Sequence, residues 1–262
     1  MQQQSLVQPL TAAGRSTRRG SEPFERLYLA LEYCLPPLGA IVRRRLRAIA
    51  ASQGGHARIL DVGGRKSHYT IGVDGSIVVT DLPRRSQIQH NLHLGVTDEL
   101  ARQLRRRRSN IQAIAYDDMT RSGLRDGVFD CVVAVEVLEH VEQDAEFVRE
   151  VWRVLKPGGT FLMTTPNGDV VPNTNPDHKR HYTSAQLSTL LAATFGNATV
   201  DFAVRRGRCH DLGLRSWSAR RPVRTAVTMA ANIVNHLQSA APGLARRARV
   251  TNHLVAEAVK AR

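Results

Sequence analysis

At 262 residues the chain can hold one sizeable α/β domain with extensions, and no apolar run reaches the eighteen or so residues that a membrane-spanning helix needs. The net charge of +14 suggests nucleic acid only until it is divided: residues 1–55 carry +5, residues 56–204 carry −1 and residues 205–262 carry +10, so the centre is neutral and the excess sits on the flanks. Cys34, Cys131 and Cys209 are odd in number and widely spaced. They suit neither a disulfide framework nor a metal cluster, and with no signal-peptide pattern at the N-terminus they point to a reduced, cytoplasmic setting.

Residues 1–20 are Gln-rich, then Arg-rich, without apolar periodicity, and are expected to be a disordered tail. A helical segment occupies 21–54. Phe24, Leu27, Tyr28 and Leu31 mark a first helix and Pro36-Pro37 interrupts it; Leu38, Ile41, Val42, Leu46 and Ile49 mark a second, which Gly54-Gly55 ends. From residue 58 strand and helix patterns alternate, the signature of a parallel sheet with crossover helices. Strands are predicted at 58–62, 77–80, 111–115, 129–135 and 159–164, with helices at 97–107, 143–155 and 184–194, the last capped by Thr183. A further strand is predicted at 198–204, and the last apolar segment is His253-Leu254-Val255-Ala256. No full helix can be assigned between Gly64 and Gly75.

A parallel α/β sheet holds its ligand at the carboxyl ends of the strands, where the strand order reverses. Ile59-Leu60-Asp61-Val62-Gly63-Gly64 is an apolar strand ending in an acid and two glycines, which let backbone approach a ligand. Twenty residues after Asp61, Asp81 ends the second strand, where a carboxylate can accept both hydroxyls of a ribose. A nicotinamide-binding domain would want Gly-x-Gly-x-x-Gly, which is missing here.

The order and spacing of these pieces with Asp117-Asp118, Phe129–Val135, Val137-Leu138-Glu139-His140-Val141 and Val154-Leu155-Lys156-Pro157-Gly158-Gly159 resemble the class I S-adenosylmethionine (SAM) dependent methyltransferases, in particular the type 11 and quinone-biosynthesis-like enzymes. The resemblance implies a Rossmann-like α/β fold: a mostly parallel sheet with an antiparallel last strand and helices on both faces. It makes His253-Leu254-Val255-Ala256 that final strand, near 251–259 and antiparallel to the one at 198–204, which leaves 205–250 as a basic insertion in the domain 55–262. It implies SAM as cofactor, held by Asp61, Gly63, Gly64, Arg65, Asp81, Leu82, Asp118, Met119 and Glu136. Asp117 competes with Asp118 for the adenine amino group, and either acid can instead cap a turn. The family's usual Asp-x-Gly-x-Gly-x-Gly is Asp61-Val62-Gly63-Gly64-Arg65-Lys66-Ser67 here, so Arg65 and Ser67 replace later glycines. Arg65 or Lys66 can pair with the cofactor's carboxylate or point into solvent.

On the acceptor side, Glu136, Glu139 and His140 follow the fourth strand. Asp177-His178-Lys179-Arg180-His181-Tyr182-Thr183 follows the fifth and resembles the Asp-x-x-Arg-x-Tyr-Thr segment of type 11 enzymes. A hydroxyl acceptor must lose its proton, and His140, His178 and His181 are candidate bases, with His140 preferred. The same residues resemble the metal constellation of Hen1-type RNA 2′-O-methyltransferases. In that alternative Glu136, Glu139, His140 and His178 hold Mg or Mn. The expected acceptor is a small molecule or glycan; RNA, through catalysis or through a noncatalytic methyltransferase fold, is less favoured because stacking aromatics are few. In the insertion, Val223, Ala226, Val227, Ala230, Ile233, Val234 and Leu237 follow helical spacing between arginine pairs. Packing of this helix on the core with a solvated basic side, or a lid over an acidic substrate, is the preferred reading. A dimer face and contact with an anionic membrane through 222–247 are the others.

Overall fold

The computed structural model describes residues 22–64, 67–82 and 97–262; the expected tail at 1–20 and the Arg65-Lys66 pair lie outside them. Helix α1 spans Pro23–Ala30 and α2 Pro37–Ser52. Pro36-Pro37 both ends the first helical segment and opens the second, with Pro37 in the first turn, where its missing N–H is not needed. The strands are β1 Arg58–Val62, β2 Ser76–Asp81, β3 Ile111–Tyr116, β4 Phe129–Val135, β5 Leu155–Pro166, β6 Ala198–Arg205 and β7 Thr251–Val259. The remaining helices are α3 Asp98–Arg107, α4 Asp144–Val154, α5 Ser184–Phe195, α6 Arg208–Gly213 and α7 Pro222–Ser239.

The seven strands form one sheet in the order β3-β2-β1-β4-β5-β7-β6. Strands β1 to β5 are mutually parallel, and β7 runs antiparallel to both β5 and β6. The order reverses between β1 and β4, which puts the expected crevice at their carboxyl ends. The central strands are buried on both faces, which is why they read as continuous Val/Ile/Leu runs. On one face Leu60, Val132, Phe161 and Met163 pack with Phe147 and Val151 of α4 and Leu187 and Leu191 of α5. On the other, Ile59, Ile77, Val133 and Leu162 pack with Val42 and Leu46 of α2. Each fully buried aliphatic contributes about 1.5–3 kcal/mol, so this two-sided core is the main support of the sheet.

Two expectations need correction. Lys156-Pro157-Gly158-Gly159 is not a turn before a strand: β5 begins at Leu155 and absorbs these residues as an irregularity, with Gly158 at φ +78° and the ladder resuming where Thr160 meets Cys131. The apolar stripe of α7 does not pack on the core. Thr228, Ala231, Asn232 and Asn235 are the buried residues of that helix. Between Gly64 and Gly75 the only helical piece among the described residues is the short 3₁₀ turn His68–Thr70.

That turn anchors the N-terminal helices beside the β1 tip. The buried Arg108 guanidinium donates to the Ser67 carbonyl (2.7 Å) and the Thr70 hydroxyl (2.5 Å) and lies 3.8 Å from the Glu25 carboxylate of α1. Arg43 of α2, equally buried, pairs with Glu32, donates to the His68 carbonyl (2.6 Å) and lies against the Tyr28 ring. Within this frame Asp61 is fully buried, and its Oδ1 accepts the Tyr69 hydroxyl at 2.6 Å.

Burial outweighs the Tyr69 hydrogen bond and the field of Arg108 and raises the Asp61 carboxyl to about 6. Between pH about 4 and about 6 the folded chain therefore holds a proton that the unfolded chain has released, so stability falls as pH rises through that window, by on the order of 3 kcal/mol. Urea denaturation across this range should show the fall in the parent protein and a clearly shallower one in Asp61→Asn, the remainder coming from other raised carboxyls such as Glu139. The same slope in both would refute the assignment.

Candidate active site

The switch point between β1 and β4 opens into a cavity of about 650 Å³, a volume suited to a nucleoside-sized ligand. Its floor is the β1 turn. Gly63 has φ +70°, and a Cβ there would come within 2.8 Å of the Val137 side chain. A Cβ on Gly64 would fall 2.5–2.7 Å from the Asp61 carboxylate. Both positions thus exclude a side chain: the first by conformation and contact, the second because the turn folds back onto the acid that precedes it.

Asp81 and Leu82, at the end of β2, line one wall. The Asp81 carboxylate is nearly buried and its Oδ1 accepts from the Leu82 N–H at 2.8 Å. Asp117, Asp118, Met119 and Thr120, following β3, line the adjoining wall. Asp118 Oδ1 accepts from both the N–H (3.1 Å) and the hydroxyl (2.7 Å) of Thr120, and Oδ2 from Arg121 (3.2 Å). Burial works against its charge, but these contacts hold its carboxyl below the usual range. Asp118 is therefore a turn cap as well as a wall residue. Asp117 Oδ1 accepts from the Gly123 N–H at 3.0 Å, while its Oδ2 is buried without a partner among the described residues. Of the predicted cofactor residues, Gly63, Asp81, Leu82, Asp118, Met119 and Glu136 face the cavity. Asp61 and Gly64 stand behind its surface, and Arg65 lies outside the described residues.

Glu136 follows β4 with φ +53°, a left-handed conformation that costs a non-glycine residue about 1–3 kcal/mol. Its Oε1 accepts the Thr164 hydroxyl (2.9 Å) and lies 3.3 Å from Nδ1 of His253 on β7. Burial disfavours the carboxylate, yet His253 and Thr164 prevail and keep it below its ordinary range. Glu139 is wholly buried. Thr165 donates to its Oε2 (3.2 Å) and its Oε1 has no partner among the described residues. Burial, then the nearby Glu136 charge, pushes its carboxyl well above the usual range.

The histidines form an ordered set. His140 Nδ1 lies 3.1 Å from the Asp177 carbonyl, and a carbonyl only accepts, so Nδ1 carries the proton and Nε2 keeps its lone pair. His181 Nδ1 donates in the same way to the Val171 carbonyl (2.9 Å). Its Nε2 then accepts from His178 Nδ1 at 2.7 Å, which leaves Nε2 of His178 as a second lone pair. Burial, followed by His140 and His181, lowers the His178 pKa and favours its neutral form. The His140 and His178 rings meet edge to face, 4.6 Å apart. His140 faces the cavity, whereas His181 lines a separate groove beside α5 and acts on it only through His178.

Glu139, His140 and His178 bring one ligand atom each within 4.8 Å of one another, a grouping that suits a divalent ion. Glu136, the fourth member of the predicted metal set, is not in this group. The segment after β5 is held by backbone and side-chain contacts. The Lys179 N–H donates to the Glu139 carbonyl (2.7 Å), and Arg180 and the Tyr182 hydroxyl both reach Asp144 Oδ2 at 2.7 Å. Arg180 and Tyr182 thus position the loop. Sequence reasoning missed His253, Tyr69 and the Leu38-Gly39 step of α2, all at or beside the cavity. The histidine that precedes the apolar Leu254-Val255-Ala256 run of β7 was the one available sign.

Residues 92–163 match the family described as "Methyltransferase domain". A Mycolicibacterium smegmatis protein named as a probable SAM-dependent methyltransferase is 37% identical over 115 residues, 41% of this chain and 42% of its own. The ubiquinone biosynthesis O-methyltransferase of Psychrobacter cryohalolentis is 31% identical over 106 residues, 39% of this chain and 41% of its own. The chain thus spans less than half the length of these relatives. Among solved structures, a SAM-dependent methyltransferase from Archaeoglobus fulgidus superposes with a TM-score of 0.51 at 15% identity, over 85% of this chain and 94% of that one. The [4+2]-cyclase SpnF superposes with 0.51 at 18%, over 84% and 80%. At that identity the superpositions show the fold, which is Rossmann-like. The matched segment and the seven-stranded sheet agree: in its central sequence the chain is similar to SAM-dependent methyltransferases, and its fold is theirs.

Proposed function

We propose that the protein transfers a methyl group from SAM to a hydroxyl of a small-molecule or glycan acceptor. The observation that carries this reading is the junction, in one cavity, of the Gly63–Asp81 wall with a histidine whose free nitrogen is fixed by its neighbours. Asp81 accepts the ribose hydroxyls, and Leu82 and Met119 cover the base. The unpartnered Oδ2 of Asp117 makes it the better acceptor for the adenine amino group than Asp118, whose two oxygens already hold Thr120 and Arg121.

When bound, the cofactor supplies a methyl group made electrophilic by its sulfonium. The protein has three tasks: to hold the acceptor oxygen in line with that methyl, to exclude water and to take the acceptor's proton. Val137, Val141 and Phe147 make the far wall apolar. His140, with Nδ1 committed to the Asp177 carbonyl, presents Nε2 as the base. Nε2 would take the proton that the acceptor hydroxyl gives up on methylation.

The cluster of Glu139, His140 and His178 favours a second reading, in which these three residues would hold a divalent ion that would supply Lewis-acid activation of the acceptor hydroxyl. The buried, unpartnered Glu139 Oε1 beside two imidazole lone pairs supports it. The donor set is three, not four.

Labelled SAM incubated with fractionated cell extract should label a metabolite, glycan or lipid fraction; label in RNA alone would contradict the proposed acceptor class. With that acceptor, His140→Ala should lower kcat by about 10²–10⁴ while SAM affinity holds; an unchanged kcat would remove His140 as base. Chelator should leave the rate unaltered under the first reading. Loss of activity that Mn²⁺ restores would establish the second.

A further inference from the structure

A helix on the surface of a folded domain ordinarily buries its apolar stripe and shows its polar side to water. Helix α7 does the reverse. Thr228, Asn232 and Asn235 are buried to within 1% of full burial, while Val223 and Leu237 are 76% and 71% exposed and Val227, Ile233 and Val234 are also exposed. The inversion is built in. Asn232 Nδ2 donates to the carbonyls of Cys34 (2.9 Å) and Gly213 (3.1 Å), His236 Nε2 donates to the Leu35 carbonyl (2.9 Å), and Ser239 Oγ accepts from the Arg205 N–H (2.9 Å). Turning the helix over would leave these backbone groups without the side chains that pair with them and set aliphatic residues against them.

The outward stripe from Val223 to Leu237 extends about 21 Å at 1.5 Å per residue. Its surroundings are basic. From Asp211 to Glu257 no acidic residue intervenes, while seven arginines do. Arg220 and Arg221 stand exposed before the helix, and Arg246 and Arg247 after it. Tyr33, whose ring centroid lies 5.1 Å from that of His236 on α7, and Trp217, in the loop leading to α7, are exposed aromatics. An apolar strip with cations at its ends and flanking Trp and Tyr is the pattern of a segment seated at the boundary of headgroups and acyl chains. No described helix is long and apolar enough to cross a membrane, so the contact is a surface one.

We propose that the outer face of α7 docks the protein on an anionic membrane surface, with the aliphatic stripe below the headgroups and the arginines among their phosphates. A second copy is the poorer occupant, because two-fold pairing of antiparallel α7 helices brings arginine clusters of like sign together. RNA is poorer still, because the centre of the face offers neither cations for phosphates nor aromatics for bases. Trp217 also walls an apolar groove with Phe24, Leu27, Tyr28 and Leu35, and this groove shares Gly39 and Tyr69 with the cofactor cavity. An amphiphile held in the bilayer thereby has an apolar route towards the site; this consequence rests on the methyltransferase reading, whereas the docking surface does not.

The full chain should sediment with vesicles of phosphatidylcholine containing about one third phosphatidylglycerol, and at least about tenfold less with phosphatidylcholine alone or at high salt. Ile233→Asp/Leu237→Asp should lose binding about tenfold or more while its thermal melt and SAM affinity match the parent, as expected of exposed positions. Val223→Ser/Leu237→Ser gives the same comparison with a gentler change. Failure of the parent to bind anionic vesicles would overturn the proposal, whatever the SAM affinity. So would variants that bind as the parent does, a dimer in light scattering that Ile233→Asp dissolves, or RNA binding that outcompetes vesicles.

Discussion

The β1 turn is the constraint on which the molecule depends. Asp61 is buried at the strand tip, and Gly64 must lack a side chain because the chain folds back against that carboxylate. The turn brings Gly63 backbone to the cavity floor, in line with Asp81 on the next strand of the sheet. A buried acid is costly to keep, and here the cost is reduced by the Tyr69 hydroxyl and the field of Arg108. Arg108 in turn sits beside Glu25 of α1, so the N-terminal helices support the turn rather than merely covering the sheet.

The opposite wall works by orientation. Carbonyls of Asp177 and Val171 fix the tautomers of His140 and His181, and through His181 that of His178. Two basic nitrogens are left beside a carboxyl whose pKa burial, then the Glu136 charge, raises well above the ordinary range. The loop that supplies the Asp177 carbonyl is tied to the β4 loop through Lys179 and to α4 through Arg180 and Tyr182. Positive φ at Glu136 is the local strain that aims this segment into the cleft.

Much of this was legible beforehand because it depends on local chemistry. Hydrophobic patterns located the first six strands and most of the helices, the seventh strand came from the family resemblance, the short helix α6 was not foreseen, and the Asp61–Asp81 spacing placed the crevice. What escaped is non-local. Asp61 was expected in the cavity, but which side of a turn a carboxylate occupies is set by Tyr69 and Arg108, whose approach no spacing reveals. His253 reaches Glu136 across 117 residues of chain. Periodicity identified the stripe of α7 but not its direction, which depends on whether its polar side chains meet open carbonyls on the body of the protein, as Asn232 does at Cys34 and Gly213 and His236 at Leu35.

The account as a whole stands on the β1–β2 rim gripping the sugar of SAM, and calorimetric titration of the full chain with SAM tests this most directly when Asp81→Ala is compared with the parent. A carboxylate accepting two hydroxyls contributes about 1.5–3 kcal/mol, so affinity should fall at least about tenfold in the variant. Affinity equal to that of the parent would contradict the assignment of the site.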